Sequence, residues 1–93
     1  MTKRDRIFDK IIAERNRQER MHGEKFIIRR NPLAAENALI LGEECGEVCK
    51  ALFITRETGD LDLGFEAYKN LKAELVQVAA VCVAWLEALE DKP

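Results

Sequence analysis

Ninety-three residues make one domain with a small core. Two Pro, five Gly and abundant Leu, Ala, Glu, Lys and Arg leave little loop material and favour an all-α chain. Three cysteines, an odd number, argue against a disulfide framework, and the longest uncharged run, Leu75 to Leu86, is too short to span a bilayer.

The net charge of −2 conceals an asymmetry. Residues 1–30 hold ten Lys/Arg against five Asp/Glu, and residues 31–93 hold five against twelve. A basic arm beside an acidic body serves nucleic acid, a phosphate ligand or pairing within an oligomer. A solvated amphipathic face accounts for most of these charges. Nucleic acid is the weakest of these partners, because Asp5, Asp9, Glu14 and Glu19 interleave with the basic residues. The charged amino terminus does not read as a secretory signal. Cys45, Cys49 and Cys82 read as small buried hydrophobes of a cytoplasmic protein.

Residues 1–21 are expected to form the first helix, from about residue 3, with Thr2 as its cap and Ile7, Phe8, Ile11 and Ile12 at helical spacing. Residues 22–33 read as a connector, in which His22-Gly23 stops one helix and Asn31-Pro32 introduces the next. The second helix is expected over 33–58, with an apolar stripe of Ala38, Leu41, Cys45, Val48 and Leu52. Gly59-Asp60 marks the break. The third is expected over 63–90, with Leu71, Leu75, Val78, Cys82, Trp85 and Leu89 as its stripe.

Each long helix carries a polar pair at i and i+3: Glu44 with Glu47, and Glu74 with Gln77. Such residues are neighbours on one helix face. With Leu41 and Leu71 both set to zero, Glu44 and Glu74 lie at about 300° and Glu47 and Gln77 at about 240°. The two pairs therefore take the same place beside their own stripes, edged by Ile40 and Ala51 on one helix and by Val81 and Trp85 on the other. Carboxylates with apolar neighbours must be protonated, paired or metal-bound. Glu43 lies further round. Four oxygen-bearing groups aimed at one point would suit Mg²⁺, with Mn²⁺ as an alternative.

The stretch from Leu75 to Leu86 is apolar nearly all round, and a helix apolar on every face is buried on every face. Two other helices cannot cover it. The expected cover is a second subunit, in a homo-oligomer (dimer or tetramer) joined through helix 3, with Ala79, Ala80 and Ala84 permitting close approach.

Glu43-Glu44-x-x-Glu47 followed by Glu74-x-x-Gln77 resembles the E-E-x-x-E … E-x-x-D signature of the MazG-like, all-α nucleotide pyrophosphohydrolases. Glu14-Arg15-x-Arg17-Gln18 also looks like the first-helix region of short members. The resemblance covers the whole chain as one domain. It implies a MazG-like helical bundle completed by oligomerisation. It also implies Mg²⁺-dependent cleavage of a nucleoside triphosphate to a monophosphate and pyrophosphate. Carried over by resemblance, Glu44, Glu47 and Glu74 match metal ligands and Glu43 positions water; these four are the catalytic set. Gln77 completes the metal set, and Arg15, Arg17, Gln18 and Lys50 are the candidate substrate contacts. The sequence departs from the family pattern at Gln77, where the family has Asp; an amide oxygen ligates Mg²⁺ but brings no charge. Two other functions compete: a nucleotide-binding or regulatory bundle without turnover, and a structural helical oligomer.

Overall fold

Thr2 closes the start of the first helix, α1 (Lys3–His22), with a reciprocal cap. The Asp5 backbone N–H donates to Thr2 Oγ1 at 3.1 Å, and the Thr2 N–H donates to Asp5 Oδ2 at 3.0 Å. The helix ends at Gly23, whose φ of +50° is reached easily only without a Cβ. This architecture is seen in a computed structural model, which describes residues 1–57 and 61–91. Among these residues all regular structure is helical: α1, a 3₁₀ turn (Gly23–Lys25), a single turn α2 (Ile27–Arg30), α3 (Glu36–Glu57) and α4 (Leu61–Glu90).

The expected connector is thus partly helical, because Phe26, Ile27 and Ile28 have a core to pack into. Ile28 is fully buried and joins Val81 and Ala88, with Phe26, Ile40, Leu41 and Trp85 against them. Pro32 is buried too, and its carbonyl accepts a 2.7 Å hydrogen bond from Trp85 Nε1. The next backbone carbonyl upstream, that of Asn31, accepts from Asn37 Nδ2 at 2.9 Å. These two bonds pin the connector to the entrance of α3 and to α4. They also hold the chain in turns until Glu36, three residues past the expected start. The break expected at Gly59-Asp60 lies outside the described residues.

Consecutive α3 and α4 pack along their length as an antiparallel pair, with Glu44 opposite Gln77 and Ile40 and Leu41 against the Val81–Ala88 cluster. Both α1 and α2 also pack on α4, which is therefore the central helix. Its apolar girth is explained in part by three neighbours within the chain.

The phase of both stripes differs from expectation. On α3 the inward line runs through Asn37, Ile40, Leu41, Glu44, Val48 and Ala51. Ala38, Cys45 and Leu52, one residue further round, are exposed. On α4 the inward line is Ala67, Leu71, Glu74, Gln77, Val78, Val81, Ala84, Trp85 and Ala88, while Leu75 and Leu89 are exposed. Small side chains set this phase, because alanines let helix axes approach and bring more backbone into contact. Ala80 and Ala84, assigned above to a subunit interface, are buried within the chain instead. The same rotation leaves Cys45 and Cys49 exposed and Cys82 half-buried; all three are free thiols.

Much apolar surface remains outside. Ile7, Phe8, Ile12, Phe53, Phe65, Leu75, Val83 and Leu86 are all exposed. The accessible surface is 7037 Å², where a folded monomer of this mass shows about 5,500 Å². The radius of gyration, 15.1 Å, also exceeds the roughly 12 Å of a globular chain of this length. Among the described residues, no helix is long and apolar enough to cross a membrane.

Candidate functional site

Because the inward line of α3 runs through Glu44 and that of α4 through Glu74 and Gln77, the two helices bring these three side chains together, while Glu47 stays outside. Glu44, Glu74 and Gln77 are half-buried at one level of the α3–α4 seam. The Gln77 amide, oriented by its acceptors, donates 3.1 Å hydrogen bonds to Glu44 Oε2 and Glu74 Oε2. One side chain of α4 thus joins a carboxylate on its own helix to one on the facing helix. The two carboxylate oxygens are at most about 6 Å apart, since each lies 3.1 Å from the same nitrogen.

The electrostatics show the strain of this meeting. Burial pushes the Glu44 carboxyl above its usual pKa, and the charges of Glu74, Glu47, Glu14 and Glu43 push it further. Glu14 arrives from α1, so three helices contribute acid to one place. Glu14 itself is shifted the other way: its hydrogen bonds from Arg17 hold it below the usual carboxylate range. Arg17 Nε and Nη2 grip the two Glu14 oxygens at 2.8 and 2.7 Å, and Gln18 Nε2 donates to the second at 3.2 Å.

The remaining sequence candidates fall in different places. Glu47 and Glu43 are exposed on α3 and act on Glu44 through their charge. Gln18 is buried beside Glu14, and its Oε1 has no hydrogen-bond partner among the described residues. Arg15 is held by Glu87 at 2.7 Å and Glu19 at 3.0 Å, in a separate hollow with Asn16, Arg29 and Asp91. Lys50 is exposed on α3.

A larger groove of about 950 Å³ runs between α1 and α4 and reaches Glu14 and Gln77. Its rim carries Lys3, Arg6, Lys10, Arg17, Arg20 and Lys72; Ile7, Ala13, Leu75 and Val76 line the rest. Of these cations only Arg17 was singled out by sequence. The signal was nonetheless present: positions 3, 6, 10, 13, 17 and 20 form one helical stripe, and five of the six are basic. The basic excess of the amino-terminal third is concentrated on the face that meets the acidic seam.

The donor set can be tested against a hard cation. Among the described residues, no group of three or more His, Cys, Asp or Glu side chains is arranged to hold a metal. What converges is two carboxylates and one amide. All three offer oxygen, the donor Mg²⁺ takes, and Mg²⁺ commonly keeps several waters and uses only one or two protein carboxylates. The set fits such an ion with Gln77 as the neutral member.

No family model, curated protein or solved structure matches this chain.

Proposed function

We propose that this protein is a Mg²⁺-dependent pyrophosphohydrolase that cleaves a nucleoside triphosphate to the monophosphate and pyrophosphate. One observation carries the reading: a basic groove of ligand size reaches Gln77, which bridges a carboxylate pair across two helices. Pockets for small molecules span about 300–1,000 Å³, and this groove falls within that range. The motif resemblance to MazG-like enzymes supports the same reaction.

In this reading the groove binds the polyanion. Six cations against one carboxylate on its walls suit a polyphosphate, and the apolar floor suits the flat face of a base. Glu44 and Glu74 would hold the metal, with Gln77 as its neutral ligand. Bound there, Mg²⁺ supplies Lewis acidity at a phosphoryl oxygen and a more acidic water. Glu47 and Glu43, exposed one turn from Glu44 and beside it, would be the residues that orient an attacking water and accept its proton. Arg17 spans the two regions: it belongs to the groove while its guanidinium pairs with Glu14. Gln18, buried on α1, supports Glu14 through its hydrogen bond.

The protomer is proposed to act as a homo-oligomer. Its surface excess, about 1,500 Å² per chain, is that of a protein lacking a subunit-sized cover. The exposed Val83, Leu86 and Leu89 support an α4 contribution to that interface.

The test is a panel of ribo- and deoxyribonucleoside triphosphates with Mg²⁺ or Mn²⁺, assayed for pyrophosphate release. Activity lost in Glu74→Gln supports the proposal. Tight nucleotide binding without turnover would favour the regulatory alternative. Neither binding nor turnover would leave a structural oligomer.

A further inference from the structure

The Gln77 amide does in this chain what a cation would do. Two carboxylates brought within about 6 Å across a helix seam repel each other. With its nitrogen assigned to the side where both neighbours are acceptors, the NH₂ group of Gln77 sits between them and donates one hydrogen to each, at 3.1 Å. Its other end is an oxygen. Rotation about the last side-chain bond exchanges nitrogen for oxygen in nearly the same volume, and that torsion has a broad, roughly two-fold profile. With the oxygen inward, the side chain would face only acceptors, an arrangement that is stable only around a positive charge.

We propose that Gln77 is a removable stand-in for the cation: its NH₂ holds Glu44 and Glu74 together without metal, and its oxygen faces them when metal binds. The inference rests on the metal-dependent reading above and deepens it. An aspartate at this position can be only an acceptor once ionised, so it cannot brace the metal-free pair. Gln77 therefore gives a seam preassembled before metal arrives and a higher threshold for metal. It is a positioning residue in the first state and a ligand in the second.

The test uses the full chain labelled with ¹⁵N. The side-chain NH₂ signals of Gln77 are assigned by their loss in Gln77→Met. Mg²⁺ is then titrated, and its affinity is measured by calorimetry. In parallel, the melting temperature of Gln77→Glu is compared with that of wild type, with and without Mg²⁺. The expected result is a shift of the Gln77 NH₂ signals that saturates with Mg²⁺ binding. Gln77→Glu should melt below wild type without Mg²⁺ and regain that loss with it. It should also bind Mg²⁺ about tenfold more tightly, as a third charge is added to a hard-cation site. If Mg²⁺ binds wild type while the NH₂ signals stay still, the stand-in role is overturned and the metal site survives. An equal melting penalty with and without Mg²⁺ overturns it too, since a merely structural glutamine behaves that way. If neither wild type nor Gln77→Glu binds Mg²⁺, the metal-dependent function falls and this inference falls with it. Should Gln77→Glu fail to fold, the wild-type titration decides alone.

Discussion

Glu74→Gln should make the metal-free protein more stable while removing its response to metal. The substitution is isosteric and leaves an amide oxygen to accept from Gln77, so the seam keeps its shape. What it removes is repulsion. Two unit charges about 6 Å apart interact by roughly 0.7 kcal/mol in water and roughly 3 kcal/mol at an effective dielectric of 20. Both carboxylates are half-buried, which places the real figure between these limits. Against it stands the weaker hydrogen bond of a neutral acceptor, a loss of about 0.5–1 kcal/mol. A net gain of about 1 kcal/mol is expected, which raises the melting temperature of a domain this size by about 4–8 °C. Thermal melts in chelator and in excess Mg²⁺ read both effects. Wild type should gain stability from Mg²⁺, and Glu74→Gln should not. A Glu74→Gln protein that melts lower in chelator, yet still responds to Mg²⁺, would refute the reasoning. The seam would then be a structural contact and the metal would bind elsewhere.

Four further outcomes follow from other parts of the structure. Metal-free stability should fall as pH rises through the raised pKa of Glu44, because below it the native state holds a proton that the unfolded chain releases earlier. Glu44→Gln should flatten that slope, as measured by urea unfolding across pH, while the opposite slope from Glu14 at lower pH remains. Leu86→Glu, on an exposed position of α4, should yield a folded monomer by light scattering; a charge at buried Ala80 should unfold the chain instead. Trp85→Phe should cost about 1–2 kcal/mol in denaturant unfolding, by leaving the buried Pro32 carbonyl without its donor. Arg6→Ala with Lys10→Ala should weaken triphosphate binding without changing Mg²⁺ affinity by calorimetry, since both line the groove away from the carboxylate pair.

The level of the site was legible in the sequence; the rotation of the helices that build it was not. The i, i+3 pairs and their equal place on two helices brought Glu44, Glu74 and Gln77 together before any coordinates. Thr2 and Gly23 gave the limits of α1 because a cap and a positive φ are local chemistry. Leu41, Val48, Leu71, Val78 and Trp85 of the expected stripes face inward, but Ala38, Cys45, Leu52, Leu75 and Leu89 do not, because periodicity ranks side chains by hydrophobicity alone. On α3 that ranking prefers Cys45 and Leu52 to Glu44 and Ala51. The fold reverses the choice, since Ala51 permits close approach and Asn37 satisfies a carbonyl at the connector.

That reversal bears on function. A helix pair placed by its best apolar stripes would leave Glu44 and Glu74 at the edge of the seam, solvated and separate. This pair instead takes two carboxylates into its contact face and leaves Leu52, Leu75 and Leu89 outside. For an isolated chain both choices are unfavourable: charges approach each other, and apolar surface stays wet. Each becomes favourable with a specific addition, a cation or its amide substitute at the seam and a second protomer over Leu52 and Leu89. Natural sequences break local rules where function requires it. Here both breaks concern the same two helices, since the rotation that turns the carboxylates inward also turns those leucines out. Metal affinity and oligomer affinity are therefore expected to be linked. The oligomer's dissociation constant, measured by analytical ultracentrifugation, should decrease on adding Mg²⁺ to wild type and stay constant in Glu74→Gln. An oligomer whose affinity ignores Mg²⁺ in both proteins would separate the two features and remove the link.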